Sequence, residues 1–249
     1  MVDSRFSWGV TRVPPRLFSK QINMLLEMEK NFLTISDYIN QNPSDRRNSI
    51  AITFDDGYES VYLHAFPILQ ELGIKASVFI NPGFVGQYNT WDANFGKRSR
   101  HLNWRQIEEL NKAGWEMGSH GMKHHDLTRL SLKQLDYELR QSQKIICRRI
   151  GSCSSVFSFP FGNYDEHVWS QCLQAGCTKA VTMGGKTFLS EENRITGRLG
   201  VYAFDSAAIL KNKINSHKSA FVRWKQKLFD VCSNLTVFFK SKSWQVDQN

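Results

Sequence analysis

The chain has 249 residues, 41% hydrophobic and 12% aromatic, which is enough to bury one sizeable α/β core. No window approaches the ~18 uninterrupted apolar residues of a membrane span, and the start, Met1 to Trp8, lacks the basic end and apolar middle of an export signal. The net charge of +9 is concentrated late, with eight Lys/Arg and a single acid, Asp230, between Lys211 and Lys242, so anionic partners are favoured.

The elements follow in chain order. Ile50–Phe54 reads as a buried strand that stops at Asp55-Asp56-Gly57, and Val61–Leu72 as an amphipathic helix ended by Gly73. Ala76–Ile80 is a strand closed by Asn81-Pro82-Gly83. Residues 83–103 form a long loop in which Tyr88, Trp91 and Phe95, with Trp104 beyond it, are candidate sugar-stacking aromatics. A helix over Trp104–Ala113, capped by Asn103, leads to a short strand at Trp115–Gly118 and then to His120 and His124. Ser131–Arg149 is the longest helical pattern, with Leu132, Leu135, Leu139 and Ile146 on one face. Val156–Phe159 is a strand broken by Pro160-Phe161-Gly162, followed by a helix over Asp165–Ala175 and a strand over Lys179–Thr182. After about Asp205 the alternation gives way to a basic helical tail, dividing the chain into a domain at 1–205 and a tail at 206–249. Apolar residues interspersed with the lysines there suit either an anionic membrane surface or packing on the domain.

Strand–helix alternation with short strands predicts parallel pairing through helical crossovers. The chemistry-bearing residues all fall just past predicted strand ends, which predicts a (β/α) barrel that gathers them at one mouth. One Asp and two His form a three-ligand set for a hydrolytic zinc-type site, and the second Asp is left over as a candidate base. Five cysteines, with no closely spaced pair of metal-binding type, are expected to be thiols in a reducing compartment, consistent with a cytoplasmic or membrane-peripheral protein. No base-reading module is present, so nucleic acid is not an expected partner.

At these residues the chain resembles the polysaccharide deacetylase family, the NodB-homology domain of carbohydrate esterase family 4. Thr53-Phe-Asp-Asp-Gly57 is similar to that family's first motif, Ser119-His-Gly-Met-Lys-His124 to its second and Phe159-Pro-Phe-Gly162 to its third. The resemblance implies a distorted barrel of about seven strands, one divalent metal (commonly zinc) and removal of N-acetyl groups from a glycan. It implies that Asp56, His120 and His124 are metal ligands, that Asp55 is the general base, and that Pro160, Phe161 and Gly162 line the groove; the chemistry also calls for a backbone oxyanion donor, for which the Phe161 N–H is the candidate.

The sequence departs from the family in several places, among them a weak fourth motif and no clear first barrel strand before Val10–Pro14. Ser158 stands where the third motif usually has an arginine, and Arg198, from a later strand, is the candidate to replace that charge. No fifth-motif histidine is present, and His101 is the candidate general acid. A deformylase or O-deacetylase acting on a lipid-linked sugar, and a non-catalytic carbohydrate-binding relative, are the alternatives.

Overall fold

The computed structural model describes residues 1–3, 12–90, 98–183 and 194–215. Helix α1 (Pro15–Glu27) begins at a proline, whose missing N–H costs nothing in the first turn. It buries Phe18, Ile22 and Leu25, a stripe at helical spacing, into the main core. Strands β1 (Asn31–Leu33) and β2 (Ser49–Ala51) pair in parallel, with α2 (Ile35–Asn40) between them in the chain.

Six strands then pair in chain order, all parallel: β3 (Thr53–Phe54), β4 (Ser77–Ile80), β5 (Glu116–Ser119), β6 (Val156–Ser158), β7 (Lys179–Met183) and β8 (Ile195–Arg198). The crossovers carry α3 (Phe66–Glu71), α4 (Trp104–Lys112), α5 (Leu132–Asp136), α6 (Ser142–Ile150) and α7 (Glu166–Gln174). Among the described residues the sheet is therefore a curled half-barrel of six strands, against the expected distorted barrel of about seven. The expected Ile50–Phe54 strand is split at Ile52: β2 pairs with β1, and β3 pairs with β4. With two residues, β3 offers little backbone for a further ladder, and among the described residues side chains, not backbone bonds, bridge β3 to β8.

Each strand sorts its residues by face. Val78 and Ile80 of β4 enter the core shared with α1 and α4, while Phe79 points the other way, onto Val156, Val181 and the α2 residues Ile35 and Ile39. Gly118 makes room for that ring, since a Cβ there would lie 2.7 Å from it. The N-terminal strand ends are closed by α2, whose Ile35 N–H donates to Ser77 Oγ and whose Ser36 N–H donates to Glu116. Chemistry is left to the opposite end.

Two helices are less regular than their patterns predict. A wide π turn at Val61–Ala65 precedes α3, because Pro67 cannot supply an N–H and its ring crowds the preceding turn. A second π turn, Tyr137–Gln141, joins α5 to α6 inside the predicted Ser131–Arg149 helix.

Beyond β8, α8 (Ala207–Asn215) packs on α1: Leu210 is buried, Gln21 Nε2 donates to the Asp205 carbonyl, and Lys213 pairs with Asp205. The first part of the expected tail thus lies on the domain, and residues 216–249, including Cys232, lie outside the described residues. The expectation of thiols throughout is corrected for Cys147 and Cys153, which form a disulfide with Cα atoms 4.9 Å apart; Cys172 and Cys177 are buried thiols. No helix among the described residues is long and apolar enough to cross a membrane.

Candidate metal centre

Asp55 and Asp56 follow β3, His120 follows β5, Pro160-Phe161-Gly162 follows β6 and Arg198 ends β8. Parallel pairing brings these ends to one edge of the sheet, so residues distant in sequence meet there.

At the end of β3 the chain turns through two left-handed residues, Asp56 (φ +69°) and Gly57 (φ +60°). Asp tolerates this region better than most side chains, and His101 secures it. The His101 ring is stacked between Tyr58 and Phe84, with centroids 4.8 and 5.3 Å away, and its Nδ1 lies 2.8 Å from the Asp56 carbonyl oxygen. A carbonyl only accepts, so Nδ1 carries the proton and the neutral ring has its lone pair on Nε2. Burial lowers the His101 pKa, against the raising effect of the bond to Asp56. Nε2 has no hydrogen-bond partner among the described residues.

The turn sends the two carboxylates into different surroundings. Asp55 receives Arg198 as a bidentate pair, Nη1 to Oδ1 at 2.8 Å and Nη2 to Oδ2 at 2.7 Å. Arg198 also donates to Thr53 Oγ1 and to Ser158 Oγ, and Ser158 in turn donates to Asp55 Oδ1. The guanidinium rests over the Phe79 ring, 5.5 Å from its centroid. Burial alone would raise the Asp55 pKa; the Arg198 charge and hydrogen bonds outweigh it and hold the carboxyl at about 2.

Asp56 faces histidines. Its Oδ1 is 3.5 Å from His120 Nε2 and 3.3 Å from His124 Nε2. His120 Nδ1 lies 2.7 Å from the Ser158 carbonyl oxygen, so this nitrogen holds the proton and Nε2 presents a lone pair to Asp56. Burial lowers the His120 pKa and opposes a second proton. A lone pair aimed at a carboxylate oxygen is repulsive unless a cation lies between them. One donor atom from each of Asp56, His120 and His124 falls within a 4.8 Å span, the one such cluster among the described residues. Bond lengths of about 2.0–2.2 Å put tetrahedral zinc donors about 3.3–3.5 Å apart, and the separations of Asp56 Oδ1 from the two Nε2 atoms, 3.5 and 3.3 Å, are of that size. The Ser158 carbonyl is the outer partner that fixes the His120 tautomer.

Phe161 also adopts a left-handed conformation (φ +59°) and sets its ring edge against His124, with centroids 4.5 Å apart. Gly162 follows in the same region, where a Cβ would lie 2.9 Å from Met183 N. Of the loop aromatics, Tyr88 is exposed beneath the Arg100 guanidinium, whereas Trp104 packs on the main core under Arg149. Trp91 and Phe95 lie outside the described residues.

Sequence reasoning did not single out Asn81 or Glu138, both buried against the turn that carries the histidines. A carboxylate on the buried stripe of a predicted helix was the available signal for Glu138.

A family profile described as polysaccharide deacetylase matches residues 42–180. The Bacillus subtilis (strain 168) protein YxkH is 24% identical over 225 residues, covering 89% of this chain and 74% of its own length. The poly-beta-1,6-N-acetyl-D-glucosamine N-deacetylase of Staphylococcus aureus (strain MRSA252) is 24% identical over 187 residues, 71% of this chain and 62% of its own length. Among solved structures, the Streptococcus pyogenes deacetylase PplD in complex with acetate superposes with a TM-score of 0.71 at 20% identity, covering 84% of this chain and 89% of that one.

Proposed function

This chain belongs to the polysaccharide deacetylase family, and from that premise we propose that it removes N-acetyl groups from an amino-sugar glycan. A β-linked polymer of N-acetylhexosamine is the substrate class we favour, in line with the name of the Staphylococcus aureus relative. The observation that carries the reading is the division of labour at the β3 end: Asp55 is held ionised by Arg198 while Asp56 meets two imidazole nitrogens.

In this reading Asp56, His120 and His124 hold one divalent ion, zinc by donor set. When bound, the ion supplies Lewis acidity, which acidifies water and polarises the acetyl carbonyl. Asp55 accepts the proton of the attacking water and is the source from which the departing amine is protonated. Arg198 fixes the direction of the Asp55 lone pairs and, through Ser158, ties β8 to β6 at the site. The left-handed turn at Phe161 offers its backbone N–H to the developing oxyanion, and Pro160 and Gly162 hold that turn.

We assign His101 to the Asp56 turn in place of the acid role that its sequence position suggested. Its one proton is committed to the Asp56 carbonyl, and burial opposes a second. The non-catalytic alternative gains nothing from the Arg198–Asp55 pair, since sugar binding alone has no use for a carboxylate held ionised beside a metal-ligand cluster.

Asp55→Asn is the direct test. Amine release from an N-acetylated oligosaccharide should fall by at least about 10²-fold, while the metal content stays at the parent level. Turnover within about threefold of the parent would remove Asp55 from the chemistry.

A further inference from the structure

His120 and His124 sit on a turn in which the amides of residues 120–123 and the carbonyls of residues 120–122 are met by neighbouring side chains and backbone. The His120 N–H donates to the Ile80 carbonyl and the Gly121 N–H to Ser119 Oγ. Asn81 Nδ2 donates to the carbonyls of His120 (2.5 Å) and Gly121 (3.1 Å), and the Gly83 N–H donates to that of Met122. The amides of Met122 and Lys123 both donate to one atom, Glu138 Oε2, at 2.7 and 3.0 Å.

Glu138 is 2% exposed and sits in the wide π turn between α5 and α6. Its other oxygen accepts from His125 Nδ1 at 2.9 Å. Burying a carboxylate is costly unless its lone pairs are used, and here both oxygens are. The fit is close, since a Cβ on Gly121 (φ +78°) would lie 2.9 Å from Oε2. His124 itself is left-handed (φ +54°), a conformation that persists only where the surroundings enforce it. Nothing in the proposed chemistry uses Glu138.

We infer that Glu138 is the positioning residue of the metal centre: its buried carboxylate fixes the Gly121–Lys123 turn and thereby sets His120 and His124 at binding distance. Asn81, just past β4, grips the His120 and Gly121 carbonyls, and Glu138 grips the Met122 and Lys123 amides from the helical layer. This inference rests on the metal-centre reading above.

The test compares the parent with Glu138→Ala, Glu138→Gln and, as a control, His124→Ala. Zinc affinity is read by competition with a chromogenic chelator, and amide exchange is read by mass spectrometry on the metal-free peptide covering Met122 and Lys123. Glu138→Ala should bind zinc 10- to 100-fold more weakly and lose protection at those two amides. Glu138→Gln keeps an acceptor oxygen for both amides and should stay within about threefold of the parent. If Glu138→Ala does not fold, Glu138→Asp, one methylene shorter, should show the loss by at least about tenfold. Parent-like zinc affinity in a folded Ala or Asp variant overturns the role of Glu138 alone. Equal affinity in the parent and His124→Ala overturns the metal-centre reading, and this inference with it.

Discussion

Asp55 and Asp56 are neighbours in sequence, yet one takes two guanidinium N–H groups and the other faces two imidazole nitrogens. The left-handed backbone at Asp56 makes the difference, because it turns the second carboxylate away from the course of the first. His101 holds that backbone by a single N–H donated to the Asp56 carbonyl. His101→Asn places an amide N–H where Nδ1 stood, so kcat should remain within about tenfold of the parent, while His101→Ala should lose it. A general acid would instead lose about 10²- to 10⁴-fold in both variants, and steady-state kinetics on an N-acetylated oligosaccharide separates the two outcomes.

At the scale of elements, strand ends place the chemistry and small residues let the strands approach. Gly118 faces Phe79, the ring on which Arg198 rests, and has no room for a side chain. Gly118→Ala should destabilise the fold by about 1–3 kcal/mol, as overpacked cores do, and lower the thermal midpoint; an unchanged midpoint would contradict the packing described for β4 and β5. Much of this level was legible. The strands at 76–80, 115–118, 156–159 and 179–182 agree with β4 to β7 within a residue or two. The nearness of Asp56, His120 and His124 was legible only from the two motifs taken together, because Asp-Asp-Gly alone reads as an ordinary turn after a strand and the two histidines alone as surface residues on a helical turn. The π turns were not legible, since they shift a hydrogen-bond register without disturbing the apolar stripe. The Arg198–Asp55 pair spans 143 residues, and no local pattern encodes it; Arg198 was reachable only through the arginine that the third motif lacks, and the return of β8 toward β3 brings the two together. Helix α1 was readable in principle, with Pro15 at its start and Phe18, Ile22 and Leu25 in register, but the expected elements begin only at Ile50.

For the whole molecule, the open half-barrel raises the question of what joins its edges. Among the described residues, Arg198 does so, contacting Thr53 and Asp55 at one edge and Ser158 in the middle of the sheet. The same pair then serves the fold as well as the proposed chemistry. A double-mutant cycle of Asp55→Asn with Arg198→Met, read by denaturant unfolding, should show coupling of about 0.5–3 kcal/mol. Additive losses would mean that the seam is held elsewhere.

The central claim is that Asp56, His120 and His124 form a metal centre, and elemental analysis of purified protein tests it most directly. The parent should carry about one divalent ion per chain, as a three-ligand catalytic site does, and an Asp56→Ala, His120→Ala double variant should carry none. A parent that remains metal-free after reconstitution, or a variant that keeps its ion, would contradict the account.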